Sequence, residues 1–282
     1  MMVMHRIVCI ASFLALFSLE TACAETFDTS KLQGLGDTRY HALKSESVGR
    51  DLHIYVRVPD SASENPDRRY PTAYLLDGGV TYPLLSSYYH YLRFTEEIPE
   101  LIVVGISYGS DTFEGGNYRS SDFTAPSEER EWWGGAPVFQ ALLAEELLPM
   151  IEELYPSDPG KRIILGQSLG GQFVLYSALT RPEMFWGHIA SNPALHRNLD
   201  FYLSWHGDEP MPLDATRLFV TEGEFNDDQF KVPALRWVAF WSAPERERPF
   251  ILEFQVLATH THVSIITESF RKGMMWLMSE RK

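Results

Sequence analysis

The clearest alternation of apolar and polar positions lies in residues 52–58. There Ile54, Val56 and Val58 alternate with more polar residues, which is the period of an antiparallel strand with one buried face. A further strand is predicted at 39–47, and the segment between the two is short enough for a hairpin. The pattern therefore predicts an antiparallel pair of strands near the start of the folded chain.

Continuous apolar runs follow, separated by segments with helical spacing. Buried strands are predicted at 70–76, 101–106, 161–165, 186–190, 217–221 and 250–257. Helices are predicted at 82–94, 137–154, 172–180, 227–241 and 264–278. This alternation is typical of a mostly parallel sheet with helices on both faces, so we expect an α/β fold with the antiparallel pair at one edge. No repeat or linker divides the chain, which predicts a single domain over residues 25–282.

The N-terminus has the pattern of a secretory signal. A basic His5-Arg6 pair precedes an apolar stretch at 7–19, and Ala22-Cys23-Ala24 is a small-residue cleavage site. We therefore expect residues 1–24 to be a signal peptide and the mature protein to be periplasmic or secreted. Anchoring through a lipid on Cys23 is a weaker alternative, because Glu20 stands where lipoprotein signals need an aliphatic residue.

Composition and charge exclude several kinds of binding partner and of catalytic chemistry. The 282 residues carry a net charge of −14 and contain no basic cluster, which argues against binding to nucleic acid. Both cysteines lie in the predicted signal, so the mature chain has neither a disulfide framework nor a thiol nucleophile. No ligand set with metal-binding spacing and no cofactor motif is present, and no apolar run of the mature chain is long enough to cross a membrane. The sequence indicates no particular oligomeric state.

A Gly-x-Ser-x-Gly motif joins a predicted strand to a predicted helix at residues 166–170. This is the sequence form of a nucleophile elbow, a tight turn that raises a serine above the edge of a sheet. Gly166 and Gly170 allow the strand and the helix to approach closely because neither residue has a Cβ. The N-terminus of the helix favours negative charge beside the serine. Ser168 is therefore the candidate nucleophile.

A serine nucleophile needs a base, and usually an acid that orients the base. The chain order in α/β-hydrolases is serine, acid, histidine, so the base should follow the last strand. His260 and His262 both lie there, and their spacing does not choose between them. The acid should follow the strand at 217–221. The carboxylates there are Glu222, Glu224, Asp227 and Asp228, with Asn226 among them.

An oxyanion hole needs two backbone N–H groups that face the developing negative charge. One should come from Leu169, the residue after the serine. The other should come from the turn after an early central strand, and Asp77-Gly78-Gly79 stands at such a turn.

Several segments together resemble one family of α/β-hydrolases, which includes enterochelin esterases, S-formylglutathione hydrolases, feruloyl and acetylxylan esterases and antigen 85 mycolyltransferases. The segments that carry the resemblance are Tyr70–Gly79, Leu101–Ser107, Arg119–Pro126, Gly166–Gly171, Ser191–Leu195 and Thr261–Ser264. The resemblance as a whole extends over nearly all of the expected mature chain.

The resemblance implies roles for individual residues. It assigns the base to His262 and the oxyanion donors to the N–H groups of Gly79 and Leu169. It also implies that Arg119 and Asp122 form an ion pair that fixes the long segment 107–135, which is expected to be a functional loop.

The acid is where the chain departs from the family. The family's acid position holds Asn226 here, so the adjacent Asp227 is the predicted acid. Glu224 is an alternative, and so is the absence of any acid, since some siderophore esterases work with a serine–histidine pair.

These features together predict an exported serine carboxylic-ester hydrolase that forms an acyl-enzyme. Its expected substrate is a small-molecule or oligosaccharide ester, and an enterobactin-type siderophore trilactone is the sharper hypothesis. Trp132 and Trp133, in the long loop, are candidates for stacking on catechol rings. A feruloyl or acetylxylan esterase, an acyltransferase and a non-catalytic binding module of the same fold are the alternatives.

Overall fold

The computed structural model describes residues 31–205 and 216–279, so the predicted signal peptide at 1–24 lies outside the described residues. The strands, in chain order, are β1 (Thr38–Ser45), β2 (Arg50–Arg57), β3 (Tyr70–Leu75), β4 (Ile102–Ser107), β5 (Ser157–Gln167), β6 (Gly187–Ser191), β7 (Arg217–Gly223) and β8 (Ile251–Leu257). The helices are α1 (Gly78–Phe94), α2 (Arg119–Asp122), α3 (Ala136–Leu142), α4 (Leu148–Leu154), α5 (Leu169–Thr180), α6 (Leu199–Ser204), α7 (Asp228–Ser242) and α8 (Ile266–Met278).

All eight of these strands join one sheet in the order β1-β2-β4-β3-β5-β6-β7-β8. β2 pairs antiparallel with both β1 and β4, whereas β3 to β8 are parallel to one another. The predicted mostly parallel sheet with an antiparallel pair at one edge is therefore confirmed.

Alternating residues of the central strands pack into two hydrophobic clusters, one on each face of the sheet. In β5, Ile164 packs in one cluster with Phe173 of α5, while Ile163 and Leu165 pack in the other with Phe270 of α8. The first cluster also contains residues of α3, α4, α6 and α7, and the second contains residues of α1. Helices therefore cover both faces of the sheet, as a parallel sheet requires.

Several helix bounds differ from the predicted ones, and two of the differences have a local cause in the sequence. α1 begins at Gly78, four residues before the predicted start, because two glycines and Pro83 hide its first turn from a propensity argument. The predicted helix at 137–154 contains a π-helical turn at Leu143–Leu147 between α3 and α4. Pro149 explains that turn, since proline has no N–H for the carbonyl four residues earlier and its ring would clash with that carbonyl.

The parallel topology decides where polar residues meet. β3, β5, β6, β7 and β8 are adjacent and parallel, so the segments that follow them lie at the same edge of the sheet. That edge carries the predicted oxyanion turn, Ser168, the predicted acid segment and both candidate histidines.

Candidate active site

Ser168 has the backbone conformation of a nucleophile elbow. Its φ is 59° and its ψ is −114°, a left-handed conformation that is strained for a residue with a side chain. A Cβ on Gly166 would lie 2.2 Å from the carbonyl carbon and oxygen of Gly170, so only glycine fits there. The Gly-x-Ser-x-Gly spacing is thus required by the close approach of β5 to α5.

His262 is the histidine that contacts the serine. Its Nε2 lies 2.9 Å from Oγ of Ser168. The ring of His260 turns away, with Nδ1 at 3.1 Å from the carbonyl oxygen of Ser264. Spacing alone does not choose between His260 and His262, but the path of the loop after β8 brings His262 to Ser168. The family resemblance assigns the base to the same histidine.

The other nitrogen of His262 faces an amide. Its Nδ1 lies 3.2 Å from Oδ1 of Asn226. The backbone N–H of Asp227 also donates to that Oδ1, at 3.0 Å, which identifies the atom as the carbonyl oxygen of the amide because a backbone N–H can only donate. Nδ1 of His262 must then carry the proton, and the lone pair on Nε2 faces the hydroxyl of Ser168. This is the tautomer that a general base for Ser168 requires.

The carboxylate of Asp227, the predicted acid, lies elsewhere. Its Oδ1 accepts a hydrogen bond from the backbone N–H of Gln229 at 2.9 Å and caps the N-terminus of α7. Glu224, the alternative, accepts from the backbone N–H of Thr259 at 2.8 Å. The structure therefore brings Asn226 to His262, and it brings neither of these two carboxylates there.

Glu222 lies behind Asn226. Its Oε1 accepts a hydrogen bond of 2.5 Å from Nδ2 of Asn226, and its side chain is fully buried. Burial raises the pKa of this carboxyl group from 4.5 to about 7, although the Asn226 hydrogen bond and the charge of Lys231 oppose the rise. A chain of polar contacts therefore runs from Ser168 through His262 and Asn226 to a buried acid.

Two side-chain amides donate hydrogen bonds to the backbone carbonyl oxygen of His262. The buried amide of Asn192 donates to the carbonyl oxygen of His262 at 2.9 Å and accepts from the N–H of Gly223 at 2.8 Å. Gln167, directly before the nucleophile, also donates to the carbonyl oxygen of His262. Neither residue has a role predicted from the sequence, although each lies within a segment that carries the family resemblance.

The surroundings of His262 favour its neutral form. Desolvation lowers the pKa of the imidazole below 6.5, and the positive charge of Arg119 lowers it further. The ring of Phe230 stacks on the imidazole with a centroid distance of 4.3 Å. His262 is therefore unprotonated at neutral pH and able to accept a proton.

The predicted oxyanion donors lie at the N-termini of two helices. Leu169 is the first residue of α5, and Gly79 is the second residue of α1. N–H groups in the first turn of a helix have no acceptor within that helix. The two turns are also close, since a Cβ on Gly170 would lie 3.4 Å from the Asp77 carboxylate. The two predicted donors therefore belong to neighbouring helix N-termini at the same edge of the sheet as Ser168.

The ion pair implied for Arg119 and Asp122 is wrong. Arg119 instead makes two hydrogen bonds to Asp77, of 2.7 and 3.0 Å, and Asp122 pairs with Arg50 of β2. The buried hydroxyl of Tyr108 also donates to Asp122, at 2.8 Å. The first pair connects the long loop to the predicted oxyanion turn and the second connects it to β2, so the loop is fixed at two points.

Both predicted substrate-binding tryptophans lie in that loop. Trp132 is exposed, and the guanidinium of Arg130 lies 5.7 Å from its ring centroid. Trp133 is half-buried and lies 5.4 Å from the guanidinium of Arg197. Further contacts connect Arg197 to the site: it donates to His196 at 3.2 Å, His196 packs on Phe230 at 4.6 Å, and Phe230 stacks on His262. A series of contacts between aromatic and cationic side chains therefore connects Trp133 to His262.

Within 31–205 and 216–279, no group of three or more histidine, cysteine, aspartate or glutamate residues is arranged to hold a metal ion. None of the helices in those ranges is long and apolar enough to span a bilayer.

A family profile described as "Putative esterase" matches residues 45–266. The ferri-bacillibactin esterase of Bacillus subtilis is 32% identical over 193 residues, which cover 62% of this chain and 64% of that protein. The apo-salmochelin esterase of Escherichia coli is 28% identical over 203 residues, covering 67% of this chain and 62% of that protein. The chain thus spans less than two thirds of the length of either relative.

The fold recurs in solved structures. The crystal structure of the BES protein from Bacillus cereus superposes with a TM-score of 0.70 at 23% identity, and it covers 92% of this chain and 99% of that one. At this identity the likeness concerns the fold alone.

Proposed function

Because the chain belongs to the esterase family of α/β-hydrolases, we propose that it is a serine carboxylic-ester hydrolase that works through an acyl-enzyme. The observation that carries the proposal is the 2.9 Å contact between Oγ of Ser168 and Nε2 of His262 at a strained strand-to-helix turn. A serine activated by a neutral histidine in this geometry is a nucleophile for acyl transfer.

In the first step, Ser168 attacks the ester carbonyl while Nε2 of His262 takes its proton. The carbonyl oxygen becomes negatively charged and accepts hydrogen bonds from the N–H groups of Gly79 and Leu169. The protonated His262 then gives its proton to the leaving alcohol, and the acyl group stays on Ser168. Water repeats the sequence with His262 as base, releases the acid and restores the serine.

Asn226 takes the place of the usual acid. Its carbonyl oxygen accepts the Nδ1–H of His262, so it holds the ring in the reactive tautomer, as the asparagine does in cysteine–histidine–asparagine enzymes. An amide oxygen is a weaker partner for an imidazolium than a carboxylate, because it contributes a dipole rather than a full charge. The third member of the site is therefore Asn226, not the adjacent Asp227.

We further propose that the substrate is a siderophore ester, of which a catecholate trilactone is the best candidate. Two relatives are named for hydrolysing siderophores of this kind or their iron complexes. The surface formed by Phe230, Arg197 and Trp133 suits such a substrate, because aromatic rings stack on catechols and arginine attracts their negative charge.

Export completes the proposal. The signal-like pattern at 1–24 would deliver the enzyme to the periplasm or the medium. Mass spectrometry of protein recovered from the periplasmic fraction should give an N-terminus at Glu25, whereas an intact Met1 would reject the cleavage.

The test of activity and substrate is a panel of esters on the mature protein. Turnover of iron-free and ferric enterobactin and bacillibactin should exceed that of feruloylated arabinan and acetylated xylan, and acids rather than transferred esters should form when alcohols are added. Ser168→Ala should lose all of this turnover, and Ser204→Ala, at an exposed serine, should keep it. Unchanged turnover by Ser168→Ala would reject the proposal.

A further inference from the structure

A buried carboxylate stands one hydrogen bond behind the amide that contacts His262. Glu222 lies near the end of β7 and is fully shielded from solvent. Oε1 accepts the 2.5 Å hydrogen bond from Asn226, while Oε2 has no hydrogen-bond partner among the described residues. The proposed reaction does not use this group, and burying it carries a free-energy cost.

We propose that Glu222 is a positioning residue for the reaction, which holds the amide of Asn226 in the orientation that keeps the Nδ1–H tautomer of His262. The inference rests on the proposed function, since it assumes that His262 is the base for Ser168.

The orientation of Asn226 matters because its amide has one donor side and one acceptor side. If the amide turned over, its NH₂ group would face Nδ1 of His262. Nδ1 would then have to accept, the ring proton would move to Nε2, and His262 could no longer take a proton from Ser168.

Two contacts oppose that reversal. The NH₂ group now faces Oε1 of Glu222 at 2.5 Å, and the carbonyl oxygen faces the backbone N–H of Asp227 at 3.0 Å. Reversal would bring two acceptors together at the first contact and two donors at the second. Of the two contacts, the one to Glu222 is charge-assisted when the carboxylate is ionised, and it is therefore the stronger.

Among the residues that the structure describes, no cation forms an ion pair with Glu222. The ammonium of Lys231, whose charge lowers the pKa of Glu222, donates instead to the carbonyl oxygen of Glu224 at 2.7 Å. A buried acid held mainly by one amide is a poor stabilising device, whereas it is a common feature of sites that tune a neighbouring group. Its position beside the site thus favours a role in the reaction.

A double-mutant cycle tests the role. Glu222→Met removes the acceptor at nearly constant volume, and we expect kcat/KM for p-nitrophenyl acetate to fall by about tenfold to a hundredfold, the effect of losing a hydrogen bond to a charged group. In an Asn226→Ala background, Glu222→Met should change kcat/KM by less than about twofold, because Glu222 would act only through Asn226. Equal losses in both backgrounds would overturn the proposal, as would wild-type activity of Glu222→Met.

A second pair of variants keeps the test decisive if Glu222→Met folds poorly. Glu222→Gln keeps a side-chain oxygen that can accept the hydrogen bond from Nδ2 of Asn226, whereas Glu222→Ala removes the acceptor without adding bulk. Glu222→Gln should therefore keep kcat/KM at least about tenfold above that of Glu222→Ala. Equal kcat/KM of the two variants, both folded like wild type, would also overturn the proposal.

Ser168→Ala in the same assay distinguishes a failure of the proposed function from a failure of the proposed role of Glu222. Retained turnover would reject the proposed function and the role of Glu222 together. Loss of turnover, combined with equal effects of Glu222→Met in both backgrounds, would reject the role of Glu222 alone.

Discussion

Replacing Glu222 by glutamine should remove one defined contribution to the pH dependence of folding stability. The pKa of Glu222 is raised by burial from 4.5 to about 7 in the folded protein. Between these two values the unfolded chain loses the proton and the folded protein keeps it, so the free energy of unfolding falls as the pH rises. Above about pH 7 the penalty is complete, and below 4.5 it is absent.

The size of the effect follows from the two pKa values. The difference between 4.5 and about 7 is about 2.5 pH units, which corresponds to about 3 kcal/mol at about 1.4 kcal/mol for each unit. Most of this, about 2.5 kcal/mol, falls between pH 5 and pH 8.5. Glutamine at this position cannot ionise, so the Glu222→Gln variant should gain that much stability relative to wild type as the pH is raised.

Urea denaturation of both proteins at about pH 5 and pH 8.5 measures this difference. Glu183→Gln, which removes a carboxylate from the surface, is the control for the change in net charge. The stability of Glu222→Gln relative to wild type should increase with pH, while that of Glu183→Gln should stay nearly constant. A Glu222→Gln difference that is the same at both pH values would refute the assignment of a buried, proton-holding acid.

Three further predictions concern the elbow, the base and the segment before α7. The pH profile of kcat/KM for p-nitrophenyl acetate should have an acid limb with an apparent pKa below 6.5, because burial and Arg119 lower the pKa of His262. A midpoint of that acid limb above pH 7 would contradict this. Gly166→Ala should lose at least about 2 kcal/mol of stability in urea denaturation, since its Cβ would lie 2.2 Å from backbone atoms; wild-type stability would contradict the tight turn. Asp227→Ala should lose about 1 kcal/mol of stability with kcat/KM nearly unchanged, because Asp227 caps α7. Asn226→Ala should instead lower kcat/KM at least about tenfold, because Asn226 orients His262. The reverse pattern would identify Asp227 as the acid.

The sheet and the serine–histidine contact were predictable because they depend on order along the chain. Strands that alternate with helices form a parallel sheet, and a parallel sheet gathers the segments after its strands at one edge. Ser168 follows β5 and His262 follows β8, so both had to lie at that edge. Spacing could not choose between His260 and His262, since that depends on how the loop after β8 turns.

The partner of His262 was not predictable from spacing. Asn226 and Asp227 are adjacent, and the residue that faces the ring depends on where α7 begins. Asp227 occupies the N-cap of that helix, which turns its carboxylate to the backbone N–H of Gln229. A shift of one residue in the start of the helix would exchange the two roles, and sequence patterns do not fix helix ends to one residue.

The ion pairs of the long loop were missed for a related reason. Arg119 and Asp122 are close in sequence, yet each pairs with a residue of another element, Asp77 and Arg50 respectively. Only the folded path of the loop brings these partners together.

The sequence did hold a signal for Glu222. Leu218, Val220 and Glu222 fall on one face of β7, and the first two are fully buried in the cluster that contains α7. The period of a strand therefore placed Glu222 beneath that helix rather than in a surface loop. Extending the predicted strand at 217–221 by one residue would have identified Glu222 as a buried acid beside the site.

The most direct test of the account is to find where the acyl group is carried. The protein should be treated with a fluorophosphonate probe and digested, and the labelled peptide identified by mass spectrometry. We predict one label, on Ser168, in the wild-type protein, no label in Ser168→Ala, and strongly slowed labelling in His262→Ala, because Nε2 of His262 is the contact that activates the hydroxyl. A label on another residue, or equal labelling of Ser168→Ala, would contradict the central claim.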